Sequence, residues 1–321
     1  MNSLNYQLLL LTMRNKVREG ESVERRGAPY GEARRLKYFV YICSELLKFP
    51  SVDMDFLIER LMTSVKRINP KLDEYIRNTG VMRSRAVIRN YLRFADWLDL
   101  LRIEQRLVVP NGFTVFFASL GELEDFFLSD KEKVGFLLDL SKINEFLKLL
   151  CSLKMKNAIK EYVRPDLSEH FVESFFEWFV DLSLLTPISS RFGRFDLSNV
   201  GYHVTESCKY RVERDKVLEV YVRELLGFPL ERSLSISDDL IWALFEKSLN
   251  RLGRYTRSQV DSNLYSALSL ILDLQLKLIF DQHILATTKQ LTQKLKDISW
   301  QHNAVFSWDY LADAGYIKIK T

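Results

Sequence analysis

The chain is expected to fold as a mainly α protein with small β-hairpins (α+β), organised as repeated helix-then-hairpin units joined by further helices. Three observations lead there. Apolar residues recur at three-to-four spacing through most of the 321 residues. Strand-like stretches are few and short, and each follows a helix close to a glycine-containing turn. The composition is 47% hydrophobic and 12% aromatic with only 12 Gly and 7 Pro, so the chain carries ample apolar surface and no signature of disorder. A single core stops growing near roughly 250–300 residues, so two or three domains are expected. The boundaries suggested are a lead-in over 1–33, a first unit over 34–120, a second over 121–225, and a helical part over 226–321 that holds a third candidate unit.

The lead-in begins with the apolar run 6–11. It lacks a basic start and a small-residue cleavage site, so it reads as an ordinary helix rather than a signal peptide. Charge then dominates 14–37, and Gly20, Gly27, Pro29 and Gly31 mark a loop within it. A helix is expected over 33–47, where Leu36, Phe39, Val40, Cys43 and Leu46 share a face, until Pro50 stops it. A second helix starts after Asp53, a suitable N-cap, and carries Phe56, Leu57, Leu61 and Val65. A short helix over 72–78 ends at Gly80.

The next segment, 83–98, separates its chemistry between two faces when wound at about 100° per residue. Ile88, Tyr91, Leu92, Ala95 and Leu98 form one face. Arg85, Arg89 and Arg93 form an i, i+4, i+8 stripe beside it, flanked by Arg83 and Asn90. The arginine fork matches phosphate and the O6/N7 edge of guanine, and asparagine pairs bidentately with adenine. Beyond it, 107–117 reads as two β-rich runs around Asn111-Gly112, a dipeptide suited to the positive φ angles of a tight hairpin.

Helices, a basic last helix and a hairpin in this order resemble the winged helix-turn-helix superfamily over about 34–118. The resemblance implies that the basic helix enters the major groove of DNA while the hairpin contacts flanking backbone. The chain would then be a set of tandem winged-helix-like units. The expected wing tip at Asn111-Gly112 carries no Arg or Lys.

A second unit is expected from the aromatic helix 168–180, followed by strand material at 185–195 and 201–205. Arg191 and Arg194 bracket Gly193 on its turn. The helix has three glutamates over 169–180 and no Lys or Arg, so it is read as a packing helix. At the C-terminus, Lys289, Lys294 and Lys296 lie on a short helix; 306–314 reads as helical and stops at Gly315, which leaves one strand, 316–319. Between these parts Arg251, Arg254 and Arg257 crowd a loop-like stretch around Gly253, and Ser258 is expected to cap a long helix reaching about residue 284. The apolar stretch 264–280 contains Asp273, Gln275 and Lys277 and is expected to be buried in protein rather than in a membrane.

Catalysis and cofactors find little support. The four histidines, His170, His203, His283 and His302, have no zinc-ligand spacing, and no Gly-rich phosphate cradle or nucleophile elbow occurs. Cys43, Cys151 and Cys208 are an odd set, far apart, without a CxxC pair, so no disulfide framework, zinc cluster or metal is expected and a reducing cytoplasm is. The acidic pairs Glu122/Glu124/Asp125 and Asp238/Asp239 read as helix-start acids rather than a nuclease centre. With 46 basic against 42 acidic side chains the net charge is only +4, so nucleic-acid binding must come from local clusters.

The expectation is a non-catalytic, sequence-recognising double-stranded DNA binder without cofactor. Arg83, Arg85, Arg89, Asn90 and Arg93 would lie in the groove, Arg191 and Arg194 on backbone, and Arg251, Arg254 and Arg257 on further phosphates. The alternatives are a protein-interaction scaffold or self-associating protein presenting the aromatic stretches 113–117 and 171–179, and a nuclease subunit.

Overall fold

The computed structural model describes residues 33–68, 84–121, 127–153, 169–187, 195–209, 211–227, 230–232, 236–258, 261–310 and 313–320. Twelve α-helices and small antiparallel sheets of two or three strands make up these residues, together with one parallel pair, as the hydrophobic periodicity predicts. The expected helices at 6–11 and 72–78 lie outside the described residues.

The first unit runs α1 (Lys37–Leu46), β1 (Val52–Asp53), α2 (Met54–Ile68), α3 (Arg85–Trp97), β2 (Leu101–Glu104) and β3 (Leu107–Pro110). Asp53 Oδ1 accepts the amides of Asp55 (2.9 Å) and Phe56 (3.1 Å), so it caps α2 as expected. The Ser84 hydroxyl accepts the Ala86 amide and starts α3, whose buried face is Ile88, Tyr91, Leu92, Phe94, Ala95 and Trp97. Asp99, at φ 60°, turns the chain out of the helix into the hairpin. The sheet order is β1-β3-β2, with Val52 opposite Val108 and Leu101 opposite Pro110.

The hairpin expected around Asn111-Gly112 does not form. The tight turn lies earlier, at Gln105-Arg106, where Gln105 has φ 59°. Asn111 instead caps α4 (Gly112–Ala118): its Oδ1 accepts the Thr114 amide at 3.1 Å while Thr114 Oγ1 accepts the Asn111 amide at 2.9 Å. Thr114 Oγ1 also donates to Leu100 O (2.6 Å), and Phe113, Phe116 and Phe117 are buried at helical spacing. Gly112 is needed for closeness rather than for a turn. A Cβ there would lie 2.4 Å from both Ser269 Oγ and Thr256 Cγ2, on the two C-terminal helices against which α4 packs.

The middle of the chain follows a similar plan with fewer strands. It comprises α5 (Asp130–Leu140), α6 (Asn144–Ser152), α7 (Glu169–Asp181), the two-stranded β4 (Leu185–Pro187) and β5 (Phe195–Leu197), then α8 (Asn199–Ser207) and α9 (Arg214–Leu226). Ser183, at φ 60°, again marks the exit from helix to hairpin. The strand expected over 201–205 is part of α8. Ser198 caps that helix, and Gly201 lets it sit against Leu184, whose carbonyl oxygen would be 1.9 Å from an added Cβ.

The C-terminal part corrects three expectations. Residues around Gly253 are not a loop: α10 (Asp238–Thr256) runs through them, with Tyr265 packed 3.5 Å from where a Gly253 Cβ would be. The long helix to about 284 is instead β7 (Leu264–Ser266) followed by α11 (Leu268–Gln282), preceded by Ala267 rather than Ser258. Beyond α12 (Thr288–Ile298) and a 3-10 turn, the stretch read as helical forms β9 (Ala304–Asp309), paired with β10 (Ala314–Ile319). Gly315 lies inside β10 opposite Trp308, so this hairpin is complete. A parallel pair, β6 (Glu231–Arg232) with β8 (Ile284–Leu285), ties the start of the C-terminal part to the segment after α11.

Buried polar ties join the parts. Lys37 on α1 donates to Glu132 on α5 at 2.6 Å, and the other Glu132 oxygen accepts the Ser129 amide. Arg214 bridges Ser141 and Asp313, each at 3.0 Å. Removing one member of the buried Lys37–Glu132 pair would cost about 3–5 kcal/mol, because its partner's charge is left uncompensated. Cys151 and Cys208 are bonded to one another across the ends of α6 and α8, contrary to the expectation of unpaired thiols; helix ends far apart in sequence meet only in the fold. Cys43 is free and buried, and burial pushes its thiol pKa up.

Candidate nucleic-acid interface

The amphipathic pattern of α3 fixes which side chains reach solvent. Its apolar face is covered by α1 and by Trp178, so the arginines must face outward. Their surroundings differ. Arg89 lies 3.2 Å from Asp55 Oδ1, and Arg85 pairs with both Asp55 (3.4 Å) and Glu59. All four side chains are about half exposed. Asp55 and Glu59 are one turn apart on α2, so this helix presents two carboxylates to two guanidinium groups. Asn90 is half-buried beside the stripe. Arg93 is exposed and has no ion-pair partner among the described residues.

The hairpin brings two cations that the sequence reading missed. Arg102 on β2 and Arg106 in the turn are both exposed, and neither has an ion-pair partner among the described residues. Asp96, one turn beyond Arg93, accepts the amide of Ile103, next to Arg102, at 2.9 Å. That bond locks the end of α3 to β2. The Arg106 carbonyl accepts the Met54 amide at 2.9 Å, so the turn is also held to the start of α2. The available signal was the alternation of Leu101, Ile103 and Val108 around a two-residue turn, masked by the stronger turn signature of Asn111-Gly112.

Of the remaining expected contacts, the described ones, Arg251, Arg254 and Arg257, are engaged elsewhere. Arg83, Arg191 and Arg194 lie outside the described residues. Arg251 donates to Ser119 Oγ at 2.6 Å and pairs with buried Asp273, which Lys277 also reaches at 2.5 Å. Arg254 lies over the Tyr255 ring, and Arg257 hydrogen-bonds the Tyr265 hydroxyl at 3.1 Å while covering that ring. The aromatic stretches considered as a partner surface are core instead. Phe113, Phe116, Phe117, Phe175, Phe176 and Phe179 are all buried, in a cluster that includes Trp178. The side chains of 171 and 172 are not described.

A cavity of about 390 Å³ opens between 35–38 and 180–187, with Arg35, Lys37 and Lys133 on its wall. Its charges are already balanced: Arg35 pairs with Asp181, Lys37 with Glu132 and Lys133 with Asp130. Burial raises the Asp181 carboxyl above the usual range, partly offset by Arg35 and the Leu36 amide. His302 stacks on Trp242 at 4.1 Å, and His203 lies 3.7 Å from Glu224. Asp238 and Asp239 occupy the first turn of α10, as expected of helix-start acids. Among the described residues no group of three or more His, Cys, Asp or Glu side chains is placed to hold a metal ion. None of the helices described is long and apolar enough to cross a membrane.

No family model, curated protein or solved structure matches the chain. The functional reading rests on this geometry alone.

Proposed function

We propose that the chain binds double-stranded DNA without catalysing a reaction. In this reading α3 lies in the major groove and the β2–β3 hairpin rests on the flanking backbone, as in winged helix-turn-helix proteins. The order of the described elements of the first unit, helix, strand, helix, helix, strand, strand, with sheet order β1-β3-β2, supports it.

The observation that carries the reading is the set Arg93, Arg102 and Arg106: three exposed guanidinium groups without an ion-pair partner among the described residues, on a helix end and hairpin bonded together by Asp96 and Ile103. Unpaired arginines meet phosphate without first giving up a carboxylate. Arg85 and Arg89 form a second rank, which phosphates recruit by displacing Asp55 and Glu59. Asn90 supplies a base-reading amide.

The test is fluorescence-anisotropy titration of a 30-base-pair random duplex at several salt concentrations. The Arg93→Ala/Arg102→Ala/Arg106→Ala variant is expected to bind more weakly, with the slope of log K against log salt shallower by about 0.9 for each phosphate it no longer neutralises. Equal affinity and slope for the variant and the wild type would overturn the reading.

A further inference from the structure

We infer that the C-terminal unit is a second DNA-binding head, so that one chain grips one duplex at two places, with the middle unit between them in sequence. This inference rests on the DNA reading of the first unit. It is carried by a likeness of sheet topology that the sequence does not reveal. The C-terminal elements run α10, β7, α11, β8, α12, a 3-10 turn, β9, β10, and the sheet order is β7-β10-β9, β8 pairing instead with β6. Apart from β8, which belongs to another sheet, the described elements follow the same helix, strand, helix, helix, strand, strand succession and the same antiparallel first-third-second sheet as β1-β3-β2. In both units a left-handed residue ends the helical segment before the hairpin, Asp99 at φ 60° and Asn303 at φ 51°.

The equivalence extends to charge. Helix α3 carries three arginines and one aspartate, Asp96, and α12 carries three lysines and one aspartate, Asp297. In each, cations on the third helix are held by acids from the first turn or two of another helix. Asp55 and Glu59 hold Arg85 and Arg89; Asp238 holds Lys294 at 2.5 Å. In each, a side chain near the helix end is bonded to the hairpin. Asp96 takes the Ile103 amide, and Lys296 donates to the Trp308 carbonyl at 3.2 Å while covering the Tyr310 ring. Lys289 is exposed without an ion-pair partner among the described residues, and Trp300, 68% exposed, stands between helix and hairpin.

The middle unit breaks the equivalence in the respect that matters. Helix α7 carries Glu169, Glu173 and Glu177 with no Lys or Arg, and its Asp181 is buried against Arg35, so it offers phosphate no cation of its own. Two cationic helix–hairpin heads therefore flank an acidic one. Joining two weak heads rigidly makes the second binding event intramolecular, which raises affinity without any new contact.

The test compares a 10-base-pair duplex, which spans about one helical turn and serves one head, with a 30-base-pair duplex, which serves both. Wild type is expected to take two short duplexes per chain but one long one. It should bind the long one at least about 100-fold more tightly, beyond the roughly 20-fold gain that the extra registers alone would give a single head. Lys289→Ala/Lys294→Ala, which removes one exposed lysine and one partly exposed lysine paired with Asp238, is expected to take one short duplex and to lose the long-duplex advantage, with a salt slope shallower by about 2. If this variant keeps the long-duplex affinity and wild type takes a single short duplex while the Arg93/Arg102/Arg106 variant is weakened, the second head is overturned and the first stands. If neither variant weakens binding, both fall.

Discussion

The two carboxylates on α2 give the most discriminating perturbation of the arginine stripe. Asp55 lies 3.2 Å from Arg89 and 3.4 Å from Arg85, and Glu59 closes on Arg85 from the next turn. Asp55→Asn/Glu59→Gln keeps size and hydrogen bonding but frees both guanidinium groups. Because the side chains involved are 42–56% exposed, the pairs contribute little to folding, about 0.2–1 kcal/mol each, and the variant should unfold within a few degrees of wild type. Binding should change more. A phosphate seated on a freed arginine would lie about 7 Å from each former carboxylate, a repulsion of roughly 0.6 kcal/mol per pair in water and about half that at physiological salt. Adding the ion pairs that no longer need breaking, the variant should bind duplex DNA about 1–2 kcal/mol more tightly, or roughly 5- to 30-fold. The assay is the anisotropy titration at fixed salt, with melting of the free protein as control. Unchanged or weaker binding by a normally folded variant would refute the placement of Arg85 and Arg89 at the phosphates.

Three further outcomes follow from the fold. Asn111→Ala should cost about 1 kcal/mol through removal of the cap, and Gly112→Ala about 1–3 kcal/mol through the collision with Ser269 and Thr256; denaturant titrations showing neither effect would argue against the α4 assignment. Non-reducing denaturation should expose a single titratable thiol, that of Cys43, and reduction of the Cys151–Cys208 bond across 57 residues should lower stability by about 2–4 kcal/mol; three reactive thiols before reduction would contradict the pairing. Asp261 accepts Lys318 Nζ at 2.7 Å and the Asn263 amide, which hold its carboxyl below the usual value, so its contribution is present at neutral pH and is lost as pH falls through the folded-state value. Asp261→Asn should therefore be less stable than wild type at pH 7, with the gap closing in acid; a gap independent of pH would show that the charge is not responsible.

What was legible in the sequence was whatever one helix records about its own neighbourhood. The segregated faces of α3, the Asp53 cap and the acidic start of α10 follow from local spacing, and the structure has all three. Misread features were those where two local rules compete. Asn111-Gly112 is a strong turn signature, yet the Thr114 hydroxyl and the buried phenylalanines after it make a capped helix more favourable. The real turn has Gln105 at φ 59°, a conformation costing a non-glycine residue roughly 1–2 kcal/mol that the flanking ladder offsets. At the C-terminus, Gly315 reads as a helix stop, although the alternating burial of Ala304, Phe306 and Trp308 is the period of a strand. Interactions between distant segments were beyond such reasoning. The pairing of Arg85 and Arg89 with α2 spans about 30 residues, and the pairing of β7 with β10 spans about 50, so the quenching of the stripe and the completeness of the last hairpin emerge only once the chain is folded.

The central claim, that α3 and the β2–β3 hairpin face DNA, is tested most directly by site-specific photocrosslinking. A benzophenone side chain placed at Arg93 or Arg106 reports what lies within a few ångströms of each position in the complex. The account requires crosslinks to a labelled duplex from both positions, reduced by high salt, and none from Glu173 on the acidic α7. Equal crosslinking from Glu173, or none from Arg93 and Arg106 under conditions where the duplex is bound, would contradict it.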